Sequence, residues 1–581
     1  MSSPPRPVGP RYKWVVLSNT TLGMLLASVN AASLLLSLPV IFRGIGIDPL
    51  ARDSFSFLLW LMMSYTLAMA VLVVTLGRMG DMYGRTKMYN LGFAVFTVGS
   101  ILATCTLGHG PIAAVELILF RMVQGVGGAF LFSNSAAILT DAFPINQRGM
   151  ALGLNQIAAV AGSFLGVLVG GFLSQVGWRW VFLFNVPIGI AGTIWAYLKL
   201  QEIGYRKKES IDWLGNIAFA AGLTMVLVGI NFGIQASATS DMSWGTPFVI
   251  GMLSGGAALL IIFIIIEQHV PSPMFRINLF RIRAFAAGSM ASLMAAIARG
   301  GLMLMLAIWL QGIWLPLHGY NYEITPLWAG VFMLPSSLGV LMAGPLSGRL
   351  SDAYGARYFS TAAMIVAAIG FSLLMLLPVN FHYPFFALII LLDGLAMGMF
   401  MAPNTSAVMN SLPEQHRGAG SGMRSTLFNV GSPLSTAIIF TLMTVGLNAS
   451  IPTVMYNGLV QHAVPSDIAH QVANAPPVGY LFAAFLGKNP LQTVIPASVL
   501  QALPPDQAAA ITSRTFFPQL ISQSFHHGLM VVLSFSIAMC LIAAGASWLR
   551  GGKYVYREKG ELVVKVTPDQ DTKDKPDHNT E

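Results

Sequence analysis

Gly77-Arg78-Met79-Gly80-Asp81-Met82-Tyr83-Gly84 returns 271 residues later as Gly348-Arg349-Leu350-Ser351-Asp352-Ala353-Tyr354-Gly355. A second pattern, Pro144, Arg148, Gly149 and Gly153, returns at an offset of 269 as Pro413, Arg417, Gly418 and Gly422. Every copy lies between two long apolar runs, which places it in a turn at a membrane surface. Two patterns recurring in the same order and spacing predict a duplicated unit of six helices. Parallel repeats of this kind are one recurrent transporter plan, with the substrate site near the midplane between them.

Outward from these turns the chain is mostly apolar. Of its 581 residues 55% are hydrophobic and 9% charged, whereas soluble domains run at about 25% charged. The apolar runs are each long enough to cross about 30 Å of hydrocarbon as a helix. The short segments of alternating polarity that mark a membrane barrel are absent. The expected spans are 14–41, 54–77, 88–107, 112–139, 149–172, 180–199, 213–233, 247–266, 286–312, 325–348, 358–378, 383–409, 418–446 and 525–549. The fold class is therefore an all-α membrane protein of about fourteen transmembrane helices. Residues 14–199 form an N-terminal six-helix bundle, 212–267 two extra linker helices, and 285–549 a C-terminal six-helix bundle. The second bundle is interrupted by an insertion at 447–524, Pro-rich and polar in patches, which reads as short helices lying on the outer face or capping the protein. The charged tail 550–581 is expected in the cytoplasm and partly disordered.

The first run, Trp14 to Phe42, is too long for the core of a signal peptide and reads as the first span. The formal net charge of +9 follows topology: with a cytoplasmic N-terminus, 24 of the 32 Lys and Arg fall in inside segments or at their edges. That is the positive-inside bias of a multi-pass protein in the cell (inner or plasma) membrane, with both termini cytoplasmic. It removes any need for a nucleic-acid partner. Cys105 and Cys540 stand alone in distant spans, and His526-His527 have no carboxylate or thiol spaced to complete a metal site.

Further motifs join the repeated turns. They are Arg121-x-x-Gln124-Gly125, Trp178-Arg179-Trp180-Val181-Phe182-Leu183-Phe184-Asn185-Val186-Pro187, Trp60 with Tyr65, and Gln311 followed by Gly330 and Pro335. Together with 77–87 they resemble the major facilitator superfamily, specifically its fourteen-helix drug:proton antiporter family. The resemblance covers about 15–446 and 525–549. It implies alternating access, multidrug efflux and exchange for protons. The chain differs from the family pattern at Asn30, where an Asp is common, at Val167 within Gly166-Val167-Leu168-Val169-Gly170-Gly171, where a Pro is usual, and at Asp393-Gly394, where an Arg-Gly pair is usual.

Several residues are candidates for the mechanism. Gly77, Asp81, Gly84, Arg85 and Asp352 occupy the repeated turns. Asp81 can accept hydrogen bonds from a neighbouring helix N-terminus, where the dipole favours negative charge. By resemblance the loop is a conformational latch; otherwise its charges only set topology. Arg121 lies near the bilayer centre, where an arginine costs at least about 2.5–3.5 kcal/mol and faces a cavity or a partner. It is read as a proton-coupling or substrate group, or as a structural Arg held by carbonyls and Gln124. Asp393, the clearest mid-span carboxylate, is a candidate proton carrier with Arg299 as candidate partner, or half of a fixed structural pair. Asn30, Trp60, Tyr65, Gln124, Gln156, Arg299, Gln311 and Asn404 form the candidate substrate cavity, neutral, aromatic and amide-lined. Each polar member needs hydrogen bonds or a wet cavity, and helix–helix glue is the competing role. Gly162, Gly166 and Gly170 stripe one face and permit close helix approach; with Gly171 they form the antiporter-like helix by resemblance.

Among function classes, a primary pump is disfavoured because no G-x-x-x-x-G-K-[ST] loop is present, and no cofactor is expected. A membrane enzyme would cluster His, Asp and Glu near the spans, which this chain does not. The expected function is export of small amphipathic or lipophilic compounds, with protons, the lipid bilayer and a periplasmic adaptor as candidate partners. The alternative is dedicated export of one natural product, lipid, siderophore or peptide.

Overall fold

The computed structural model describes residues 11–48, 54–203, 211–234, 243–271, 273, 275–413, 417–474, 477–487, 489–551, 554–556 and 562–564. The first half contains α1 (Tyr12–Ile45), α2 (Ser54–Tyr83), α3 (Arg85–Thr104), α4 (Gly110–Ala142) and α5 (Ile145–Val176). Its sixth span is broken at Phe184 into α6 (Trp178–Leu183) and α7 (Asn185–Lys199). Two further helices, α8 (Trp213–Ile234) and α9 (Pro247–His269), pack on each other. The second half opens with α10 (Arg283–Ile308), a π-helical turn (Trp309–Trp314) and α11 (Leu315–Leu317). It continues with α12 (Thr325–Tyr354), α13 (Ala356–Leu376), α14 (Tyr383–Asn410) and α15 (Arg417–Asn448). Six short helices follow: α16 (Ile451–Gln461), α17 (Ser466–Ala473), α18 (Pro477–Phe485), α19 (Leu491–Val494), α20 (Ala497–Ala502) and α21 (Pro505–Thr512). The last span is α22 (Phe516–Leu549).

Among the described residues thirteen helices are long and apolar enough to cross a membrane. The fourteenth traversal is α3, whose first turn carries Arg85 and Lys87 and whose 20 residues still reach across the hydrocarbon. The tail adds one departure from an all-helical chain, an antiparallel ribbon pairing β1 (Tyr554–Tyr556) with β2 (Leu562–Val564). The last span also begins nine residues earlier than its apolar composition suggests.

The duplication visible in the turns extends to packing. In the first half α1 packs on α5, α4 on both α2 and α3, and α3 on α7. In the second half α10 packs on α15, α14 on both α12 and α13, and α13 on α22. The two most extensive contacts between the halves, α5 with α12 and α2 with α15, exchange under the same operation. The repeated turn needs a glycine at each copy: Gly84 has φ +115° and Gly355 φ +94°, a region that side chains with a Cβ avoid. Each glycine reverses the chain in one residue between two spans.

The face of the bundle on which α1 starts and α22 ends is here the terminal face, and the opposite one the far face. On the far side α5 and α12 touch backbone to backbone: a Cβ on Gly171 would lie 2.9 Å from Leu327 Cα and from the Pro326 carbonyl oxygen. Toward the terminal face Gly153 and Gly344 on the same two helices have open space around them. The halves thus meet backbone to backbone at the far end of this seam, and the two glycines nearer the terminal face are not in such contact.

The insertion is more deeply embedded than a surface cap. Tyr480, Leu481, Phe482, Ala483, Ala484, Phe485 and Leu486 are all buried. Their helix α18 contacts α2 of one half together with α15 and the π-turn of the other. Phe482 also meets Phe42 of α1 edge-on, with ring centroids 5.3 Å apart.

Candidate functional site

In the first half the mid-membrane polar residues form one buried network. Arg121 donates through Nη1 to Gln124 Oε1 at 3.1 Å, and its guanidinium stands 4.8 Å from the centre of the Tyr65 ring. Gln124 donates through Nε2 to Ser100 Oγ at 2.9 Å and accepts a long contact of 3.5 Å from Asn30 Nδ2. Asn30 Oδ1 accepts from Asn185 Nδ2 at 3.2 Å, and the Tyr65 hydroxyl donates to the Ala27 carbonyl at 3.3 Å. Five helices therefore meet around Arg121: α1, α2, α3, α4 and α7. Asn185 and Ser100 were not singled out as site residues by the sequence. A mid-span Asn beside the break at Phe184 is the signal that points to Asn185.

In the second half the polar centre is an ion pair. Arg299 on α10 reaches Asp393 Oδ2 on α14 through Nε at 3.1 Å and Nη2 at 3.0 Å, and Nη2 also donates to Ser336 Oγ on α12 at 2.8 Å. Asp393 is buried, whereas the Arg299 side chain keeps a fifth of its surface exposed. The geometry joins the two residues that the sequence offered as partners.

The remaining candidates lie apart from these clusters. Asn404 donates to the Gly288 carbonyl and to Ser292 Oγ, and accepts from Arg550 at the end of α22. Gln311 is buried in the π-turn with neither amide atom partnered. Trp60 is half-buried against the main apolar core, and Gln156 is exposed on α5. A Cβ on Gly162 or Gly166 would stand 2.7 or 2.5 Å from the Leu25 or Val29 carbonyl oxygen, and Gly170 is closer still to Ser33. These three glycines are the contact of α5 with α1. Gly171 faces away from them, onto α12.

The repeated motif is mostly helical rather than a turn: Asp81 lies in the last turn of α2, and only Gly84 separates that helix from α3. Arg85, the first residue of α3, holds two carboxylates, Asp81 through Nη2 at 2.7 Å and Asp141 near the end of α4 through Nη1 at 2.6 Å. The carboxylate seated on a helix N-terminus is Glu202, not Asp81. Its Oε1 and Oε2 accept from the backbone amides of Arg85 and Thr86 at 3.0 and 3.1 Å. Those amides have no partner inside α3, and the dipole there favours an anion. Gly77 on α2 packs against Ser133 of α4. The side chain of Asp352 lies outside the described residues.

A polar cavity of about 760 Å³ opens on the far face, lined by Arg43, Tyr322, Glu323, Asn489 and Arg514 among others. Tyr322 donates to the Arg514 carbonyl at 2.9 Å. Burial pushes its phenol up to about 12 against the opposing effect of the Arg514 charge, so it remains a donor at neutral pH.

Two pseudo-equivalent helical halves, joined along two exchanged seams and each carrying charge at mid-membrane, define a multi-pass membrane transporter. The description of the Major Facilitator Superfamily matches residues 20–436, and the chain belongs to that family. It is 26% identical over 437 residues to the riboflavin transporter RibZ of Clostridioides difficile, covering 74% of this chain and 87% of that one. It is 28% identical over 465 residues to the multidrug resistance protein Stp of Mycobacterium tuberculosis, covering 80% and 81%. Among solved structures, a bacterial homologue of the human lysosomal transporter Spinster shares the fold, with a TM-score of 0.55 at 15% identity over 93% of this chain and 98% of that one.

Proposed function

We propose that this protein is a secondary active exporter of small amphipathic compounds, working by alternating access in exchange for protons. The observation that carries the reading is the placement of mid-membrane charge. Arg121 on α4 and the Arg299–Asp393 pair between α10 and α14 occupy corresponding helices of the two halves. An intramembrane carboxylate facing a guanidinium can exchange a proton when the pair opens. The name of Stp supports efflux of several compounds, and that of RibZ favours a second reading, dedicated transport of one natural product.

In this reading the terminal face is cytoplasmic, which the Lys and Arg bias supports, and the protein sits in the inner or plasma membrane. The charge cluster of Asp81, Arg85 and Asp141, drawn from the ends of α2, α3 and α4, is the cytoplasmic latch, and Asp393 is the proton-coupling group. The two halves rock about a site between 14–199 and 285–549.

The test is substrate-driven proton movement in proteoliposomes under an imposed pH gradient. Flux triggered by several unrelated amphiphiles, and lost in Asp393→Asn, is the expected outcome. Flux with a single compound supports the dedicated transporter, and flux with none from folded protein removes both readings.

A further inference from the structure

The two halves treat their mid-membrane guanidiniums differently. Arg299 is neutralised by Asp393. Arg121 is 1% exposed and has no carboxylate partner among the described residues; its contacts are the Gln124 amide and the Tyr65 ring, and its Nε has no acceptor. Every group linked to it through the network, Asn30, Ser100 and Asn185, is also uncharged. Glu116, the nearest acid along α4, is committed to the Gly108 amide through Oε2 at 3.2 Å. On α15, Arg424 is a further guanidinium with no carboxylate partner among the described residues, and its Nε is likewise buried and unpartnered.

A buried charge solvated only by neutral dipoles is costly, and the field it leaves attracts an anion and repels a cation. Resting on the exporter reading above, we infer that the preferred substrates are anionic amphiphiles. Their carboxylate, sulfonate or phenolate group supplies the counter-charge that Arg121 lacks, and their apolar body occupies the membrane-embedded seam. Arginine suits this role because its planar fork keeps donors free after the bond to Gln124. Gln124 holds the fork in place without neutralising it, and Asn30 in turn contacts the same Gln124 oxygen. A carboxylate in their position would cancel the charge.

The experiment compares aryl compounds that share one fluorescent ring system but end in a sulfonate, a neutral amide or a trimethylammonium group. Binding to purified protein and uptake into inverted proteoliposomes are both measured. The sulfonate is expected to bind about tenfold or more tightly than its trimethylammonium counterpart, the range of one charge-assisted hydrogen bond. Arg121→Gln is expected to abolish that preference and Arg121→Lys to keep part of it. Asn30→Asp, which leaves the arginine in place and adds a carboxylate to its network, is expected to reverse the preference. This variant decides the matter where Arg121→Gln fails to fold. Equal or tighter binding of the cation by the native protein overturns the inference. So does an anion preference that survives in Asn30→Asp. Transport of the neutral or cationic probe alone leaves the exporter reading standing while removing this one; transport of none removes the exporter reading itself.

Discussion

Arg299 places two guanidinium nitrogens, Nε at 3.1 Å and Nη2 at 3.0 Å, on the single oxygen Oδ2 of Asp393. The pair ties α10 to α14, and Ser336 adds α12 to the same point. Breaking a buried pair by removing one member costs about 3–5 kcal/mol, because the other charge is left behind. Arg299 retains a fifth of its surface, so the lower end of that range applies. Asp393→Asn is therefore expected to fold with a reduced melting temperature and to lose substrate-driven proton flux by about tenfold or more, a barrier change of about 1.4 kcal/mol. Fluorescence of a pH dye inside proteoliposomes reads the flux. Wild-type flux with wild-type pH dependence would assign the pair a structural role only.

That pair was legible in the sequence because charge inside an apolar run is costly enough to stand out. The same logic exposed Arg121, and the recurrence of Asp81 and Asp352 in matched turns exposed the two halves. The partners of Arg121 were less legible. Asn185 and Ser100 are small and neutral, and such groups are as common in helix–helix contacts as in sites. Glu202 was hidden for another reason: its role depends on the loop after α7 returning to the start of α3, which no local spacing encodes. The burial of α18 was hidden as well. Nine residues of Pro, Gly, Tyr and apolar side chains read equally as an interfacial helix, and only the packing of the other helices around it decides.

Arg85 shared between Asp81 and Asp141 leads to a non-additive prediction. Each carboxylate is partly exposed, and an exposed ion pair contributes only about 0–1 kcal/mol. With either Asp replaced by Asn the other still holds Arg85, so each single variant is expected to keep most of its transport. The double variant frees the guanidinium and is expected to lose several times more activity than the two single losses combined. A double-mutant cycle on initial efflux rates measures the difference. Additive losses would mean that the two carboxylates act separately.

The α1–α5 contact predicts a stability effect that is independent of transport chemistry. A methyl group on Gly166 would sit 2.5 Å from the Val29 carbonyl oxygen, well inside van der Waals contact. The two helices must separate to accept it, at a cost of about 1–3 kcal/mol for overpacking. Gly166→Ala is expected to lower the melting temperature in detergent. Gly153→Ala, placed where the same helix has open space, is expected to leave it unchanged or raise it slightly, since alanine favours the helix. Equal effects at both positions would show that helix propensity, not close approach, governs this segment.

The buried α18 gives a prediction about the far side of the membrane. Its apolar residues fill the space between α1 and α2 of one half and α15 and the π-turn of the other, and Phe482 closes on Phe42. The halves cannot part there while α18 stays in place, because parting would expose seven buried residues to water. Gln311, 1% exposed in the adjoining π-turn, reports on that seal. In a background lacking Cys105 and Cys540, a cysteine at Gln311 is expected to resist a membrane-impermeant maleimide applied from the far side. Replacing 477–486 with a Gly/Ser linker of equal length is expected to make it react at least about tenfold faster, since protection by burial is lost with the segment that provides it. A cysteine that reacts equally fast with and without α18 would mean that the helix is a passenger and that the seal lies in α5 and α12 alone.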